Sequence, residues 1–144
     1  MGSLKRSLYK KLPKKSVKCL ACRHYCVITP GQTGICGVRQ NTEGKLELLV
    51  YGHPSAAHVD PMEKKPLYHF HPGKEIFSIG TIGCNFGCEF CINWDISQAS
   101  KEYRKLALDG RLAPSDLKAE IGGMGYDLKP TDIIKYCLKN DIKA

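Results

Sequence analysis

The 144-residue chain has no run approaching the roughly 18 consecutive apolar residues of a membrane span. It has no apolar leader behind its first residues, and Arg6 stands where an N-myristoylation motif wants Ser or Thr. The expectation is a cytoplasmic protein with no membrane partner. Residues 1–18 contain no acid. They do contain Lys5, Arg6, Lys10, Lys11, Lys14, Lys15 and Lys18, so nearly all of the net charge of +8 lies in this basic arm. The arm lacks the interleaved aromatics of a single-strand-binding surface, which argues against nucleic acid as a partner. Internal repeats and low-complexity tracts are also missing. At 42% hydrophobic and 25% charged residues, the composition is that of one ordinary globular domain.

Cysteine is abundant. Eight occur, at positions 19, 22, 26, 36, 84, 88, 91 and 137. Without an export signal a disulfide framework is not expected. Seven of the eight fall into two tight clusters, as metal ligands do. Cys19, Cys22, Cys26 and Cys36 have the spacing C-x2-C-x3-C-x9-C, with Gly34 and Gly37 about the last. Four thiolates suit a closed structural zinc site or a second iron–sulfur cluster. Zinc there would contribute on the order of 10–16 kcal/mol to a small fold. Thiols without metal are the plain alternative. His24 is either a surface neighbour of these residues or a substitute ligand. Cys137 falls on the apolar face of a predicted helix and reads as core.

The second cluster, CNFGCEFC at 84–91, spaces three cysteines as C-x3-C-x2-C. Fully ligated 4Fe–4S clusters use four cysteines. Three leave one iron with an open position, and an open position on a metal is where substrate binds. No fourth cysteine lies nearby, and the ferredoxin run C-x2-C-x2-C-x3-C-P is not present. Two alternatives remain at this point: a zinc site completed by His69 or His71, or buried thiols without metal.

The surrounding pattern gives a coarse layout. KLELLVYG (45–52) predicts a strand in a hairpin with AAHVD (56–60). Three prolines in 61–74 predict an irregular connector. There His69 and His71, two apart in extended chain, would face the same way. EIFSIGT (75–81) predicts a buried strand. ASKEYRKLAL (99–108) predicts a helix with Tyr103, Leu106 and Ala107 on one face. Gly122, Gly123 and Gly125 predict a loop. A last helix is expected from an N-cap at Thr131 to about Asn140, with Ile133, Ile134, Cys137 and Leu138 on its apolar face.

The cysteine loop and its flanks resemble the radical S-adenosylmethionine (radical SAM) enzymes, whose signature is C-x3-C-x-aromatic-C, with Phe90 as the aromatic. DPMEKKPLYHFHPG followed by FSIGTIGCNFGCEFCINWDISQ is similar to the branch that includes pyruvate formate-lyase activating enzyme. The AmmeMemoRadiSam system radical SAM enzymes are the most similar group, also at CLACRHYC and TPGQTGICGVR. The resemblance covers roughly residues 17–100, and more weakly the terminal helix. It implies that Cys84, Cys88 and Cys91 ligate a 4Fe–4S cluster, with S-adenosylmethionine on the open iron. Reductive cleavage would then give a 5′-deoxyadenosyl radical that abstracts hydrogen from a substrate, which could be a protein. Phe90 would lie near the adenine, and Gly83, Asn85 and Gly87 would let the loop wrap the cluster. A reductant such as flavodoxin or ferredoxin is implied as partner. No catalytic side chain is assigned.

The implied fold class is α/β. It is the start of a partial (β/α) radical SAM barrel, preceded by a small Cys-rich metal-binding module with short β-strands. The expected division is a basic arm at 1–18, the Cys-rich module at 19–60, a connector at 61–74 and the first βα portion of the core at 75–144. A complete barrel takes about 250 residues. The chain is therefore expected to be truncated, with the family's GGE-type S-adenosylmethionine motif falling beyond Ala144. Gly122-Gly123-Met124 lacks the acid of that motif. The 144 residues alone are not expected to turn over. The alternative function is a non-catalytic zinc or iron–sulfur binding module.

Overall fold

Three short strands open the computed structural model, which describes residues 8–142. They are β1 (Tyr9–Lys11), β2 (Val17–Cys19) and β3 (Val27–Ile28), paired antiparallel in that order. Alternation along β2 buries Val17 and Cys19. With Ile28 they form a small core, flanked by Tyr9, Cys26 and Leu46. The described half of the basic arm is thus built into the Cys-rich module. Its cations stay outside: Lys10 and Lys11 are exposed, and the Lys18 ammonium lies 5.6 Å from the centre of the Tyr25 ring. Lys5 and Arg6 lie outside the described residues.

β4 (Arg39–Thr42) and β5 (Lys45–Leu48) form a tight hairpin, with Thr42 opposite Lys45. Its two loop residues, Glu43 and Gly44, both have positive φ, 50° and 90°, as a primed turn requires. Asn41 is fully buried and fully bonded. Its amide donates to the carbonyls of Lys15 (2.9 Å) and Ile28 (2.8 Å), and its Oδ1 accepts from the Gly44 amide (2.7 Å). This side chain fastens the hairpin to the first sheet.

The pairing differs from the expected one. Residues 45–48 pair backward with 39–42, and 56–60 pair forward instead. β6 (Ala56–Pro61) runs antiparallel to β7 (Glu75–Gly80) over all six residues, from Ala56–Gly80 to Pro61–Glu75. The predicted connector is therefore the loop of one long hairpin, opened by a 3-10 turn at Met62–Lys64. The expected boundary at residue 60 would cut a paired sheet. β7 is also less buried than predicted: Ile76 and Phe77 are half-buried and Ile79 is exposed.

Three helices follow: α1 (Trp94–Leu108), α2 (Pro114–Gly123) and α3 (Pro130–Lys139). α1 contains the predicted 99–108 helix and begins five residues earlier. α2 occupies sequence read as loop, and Gly122 and Gly123 are its last turn. Pro114 at its start supplies a pre-set φ, and Leu117 and Ile121, one turn apart, are both buried. α3 starts at Pro130, so Lys129 takes the cap position and Thr131 caps nothing.

The main core crosses the expected division. Val38, Leu49 and Val50 pack with Ile82, Ala107, Leu117 and Ile121, and Cys36, Ile96, Tyr103 and Leu112 lie against them. The Cys-rich half and the helical half thus share one hydrophobic cluster. α3 buries no residue. Cys137 is half-buried, not core, while Ile134 and Leu138 are exposed. Its Tyr136 ring meets Phe77 of β7 at 5.0 Å between centroids. Among the described residues no helix is long and apolar enough to cross a membrane.

Candidate metal centre

The C-x3-C-x2-C loop leaves the C-terminal end of β7 and leads into the N-terminus of α1. Gly83 begins it, with φ +93°. A methyl group at Gly83 would strike Val38, so the loop's first residue lies directly on the main core. The Gly83 amide donates to the Ile96 carbonyl of α1 at 2.8 Å. These two contacts fix where Cys84 leaves the core.

Cys84, Cys88 and Cys91 are all half-buried free thiols. The Cys84 sulfur accepts the Phe86 amide at 3.4 Å. The Cys91 amide donates to the Cys88 carbonyl at 3.3 Å. The Cys91 sulfur lies 3.3 Å from the Ser97 hydroxyl, which also receives the Gln98 side-chain amide at 2.9 Å. Ser97 and Gln98 are buried polar residues near the start of α1. Deprotonated, Cys91 can only accept, and Ser97 can then turn its proton toward the sulfur. Phe90 is 91% exposed and Ile92 96% exposed, so apolar packing does not hold the loop tip. The Lys101 ammonium of α1 donates to the Phe86 carbonyl.

Cys19, Cys22, Cys26 and Cys36 line one cavity of about 680 Å³, together with Cys84 and Asn85. The rest of its wall is largely apolar and includes Val38, Val50, Ile82 and Ile133. The first cysteine of the second cluster thus shares a cavity with the whole of the first, a juxtaposition that spacing alone does not reveal, while Cys88 and Cys91 lie outside its lining. Burial pushes the Cys19 thiol up, and Cys22 and Cys26 push the same way; the Ala21 amide and Arg39 oppose them.

Among the described residues no three Cys, His, Asp or Glu side chains are grouped as the ligands of a single metal ion would be. Single-ion ligands must converge on one point. Thiolates on three corners of an iron–sulfur cube do not. The donor set of the 84–91 loop fits such a cluster: three thiols on one short loop, and a backbone N–H already directed at a sulfur. His69 and His71 are exposed, and residues 66–74 are turns, not extended chain, with His71 at φ 47°. Phe70 packs edge-on against His71, at 4.5 Å between ring centroids. His24 does have a role that the sequence gives no signal for. Its Nε2 lies 2.8 Å from the Asn85 carbonyl inside the cysteine loop.

Two further contacts lock the halves together around this centre. The Ser100 hydroxyl donates to the Cys36 carbonyl at 2.9 Å. Gly37, at φ +75°, lies so close to the Ser100 backbone that no side chain would fit.

An uncharacterized protein of Methanocaldococcus jannaschii is similar, 43% identical over 90 residues. Those residues are 62% of this chain but 27% of the relative, so the match spans about a quarter of that protein's length. No family model matches the chain. No solved structure matches it.

Proposed function

We propose that residues 75–108 are the cluster-binding start of a radical SAM enzyme, with Cys84, Cys88 and Cys91 as its three cluster ligands. The observation that carries this reading is the strand–loop–helix setting of the three thiols. In (β/α) folds the chemistry sits at the C-terminal ends of strands, and the cysteine loop follows the C-terminal end of β7, whose partner among the described residues is the antiparallel β6. A bound 4Fe–4S cluster with S-adenosylmethionine on its open iron would supply reductive cleavage to a 5′-deoxyadenosyl radical for hydrogen abstraction. The chain's own residues hold three corners of the cluster. Gly83 sets the loop against Val38, the Phe86 amide supports the Cys84 thiolate, and Ser97 supports Cys91. Phe90 remains open for the adenine.

On this reading the protein works in the cytoplasm with a one-electron donor of the flavodoxin or ferredoxin kind. Cys19, Cys22, Cys26 and Cys36 line one cavity but are not grouped for a single ion; on this reading they hold a second cluster beside the first, or a structural zinc once their thiols are drawn together. Because the curated relative is much longer than the matched segment, turnover is assigned to a protein that completes the barrel. The second reading is a non-catalytic zinc or iron–sulfur module. The place of Cys84 on the same cavity as the four N-terminal cysteines favours it, since that arrangement could serve stability alone.

Electron paramagnetic resonance on anaerobically reconstituted, reduced protein separates the readings. The expected result is a 4Fe–4S signal that changes when S-adenosylmethionine is added. A cluster signal indifferent to S-adenosylmethionine would mean that the cluster loop folds but the rest of the barrel carries the binding, and zinc uptake with no iron signal would remove the radical SAM reading.

A further inference from the structure

Asn85 and Phe86 share one peptide unit, and both of its ends are engaged. At the oxygen end, the Asn85 carbonyl lies 2.8 Å from His24 Nε2. At the nitrogen end, the Phe86 N–H donates to the Cys84 sulfur at 3.4 Å. A carbonyl can only accept, so His24 carries a proton on Nε2. Donation into an amide oxygen draws density from the nitrogen, and its N–H becomes a stronger donor in turn. The peptide thus links an imidazole in the Cys-rich module to a thiol in the cluster loop.

We propose that His24 is a positioning residue for the cluster loop, acting through the Asn85–Phe86 peptide to set the hydrogen bond on Cys84. This rests on reading Cys84 as a cluster ligand. Hydrogen bonds to ligand sulfurs are a principal control on cluster potential. The reduced cluster carries more negative charge on sulfur, so these bonds favour it. His24 therefore raises the potential of the site. Little else fixes this turn. Phe86 and Phe90 are exposed, and the other partner of the segment is Lys101 on the Phe86 carbonyl. His24 and Lys101 hold consecutive carbonyls of the loop.

The test compares His24→Ala and His24→Gln, because a glutamine amide can still donate to the Asn85 oxygen. Amide hydrogen exchange in the metal-free protein is the first readout. Phe86 exchange should speed about five- to tenfold in H24A, the worth of one hydrogen bond. It should stay near wild type in H24Q, with Ala107 in α1 unchanged in both. The second readout is the midpoint potential of the reconstituted protein. It should fall in H24A by up to a tenfold change in the reduction constant, about 59 mV for one electron, and recover in H24Q. Unchanged Phe86 exchange in H24A would overturn the proposal. So would faster exchange at Ala107 as well, or an H24Q protein as perturbed as H24A. A wild-type protein that takes up no cluster would instead remove the proposed function, and Phe86 exchange would still decide the role of His24.

Discussion

Replacing Gly83 with alanine tests how the cysteine loop is seated on the core. The new methyl group would strike the first Val38 γ-methyl, and it would sit 3.0 Å from the second and from the Cys36 carbonyl oxygen. Two costs add. The left-handed backbone at φ +93° costs a non-glycine residue about 1–2 kcal/mol. Overpacking against a buried side chain costs about 1–3 kcal/mol more. The expected loss is about 2–5 kcal/mol, a large part of the roughly 5–15 kcal/mol that holds a domain folded. Trimming Val38 to alanine removes the collision with its methyl groups and leaves the backbone strain and the Cys36 contact. The double mutant G83A/V38A should therefore be more stable than the sum of the single effects predicts, by about 1–3 kcal/mol. Urea unfolding followed by circular dichroism on all four proteins measures the cycle. If Gly83→Ala costs under about 1 kcal/mol, or the two changes add within about 0.5 kcal/mol, the loop does not rest on Val38 as described.

Two other outcomes follow from the packing and the charges. Leu117→Ala should cost about 2–5 kcal/mol, because this fully buried side chain joins α2 to the main core; a loss below that range in the same urea assay would mean α2 is peripheral. Asp60 is held well below the usual carboxylate range by hydrogen bonds from Lys64 (2.7 Å) and then Lys65 (2.9 Å). Its depressed value means that the stabilisation is present above the unfolded value of about 3.9 and drains as pH falls further. Asp60→Asn should thus reduce stability at neutral pH and flatten the acid limb below about pH 4; an acid limb identical to wild type would show that the lysines contribute nothing.

Elements with strong local signals were legible in the sequence. The 75–80 strand, most of α1 and the end of α3 follow from apolar spacing. α2 was not, because two glycines at its end mask a helix carried by only two buried residues, Leu117 and Ile121. The hairpin register was missed for a different reason. Glu43-Gly44 is the turn signal, but strand character in 45–52 points equally well forward or backward. At the site, the three-cysteine spacing was visible, and so was the four-cysteine set. The place of Cys84 on the cavity of the four-cysteine set was not, nor was the bond from His24 to Asn85. Such contacts depend on chain segments far apart in sequence, which no local pattern encodes.

The ties around the cysteine loop span 61 residues from His24 to Asn85 and 64 from Cys36 to Ser100. Loops of that length close only after the intervening chain exists, and such non-local contacts come late in folding. On a ribosome, the first sheet and the β4–β5 hairpin can form while the thiols at 84–91 are still being added. Their brace is complete only once α1 has emerged through Ser100. If the two cysteine sets bind metal as proposed, their loading would be ordered in time: the N-terminal set could fill on the nascent chain, and the 84–91 set would reach its braced form afterwards.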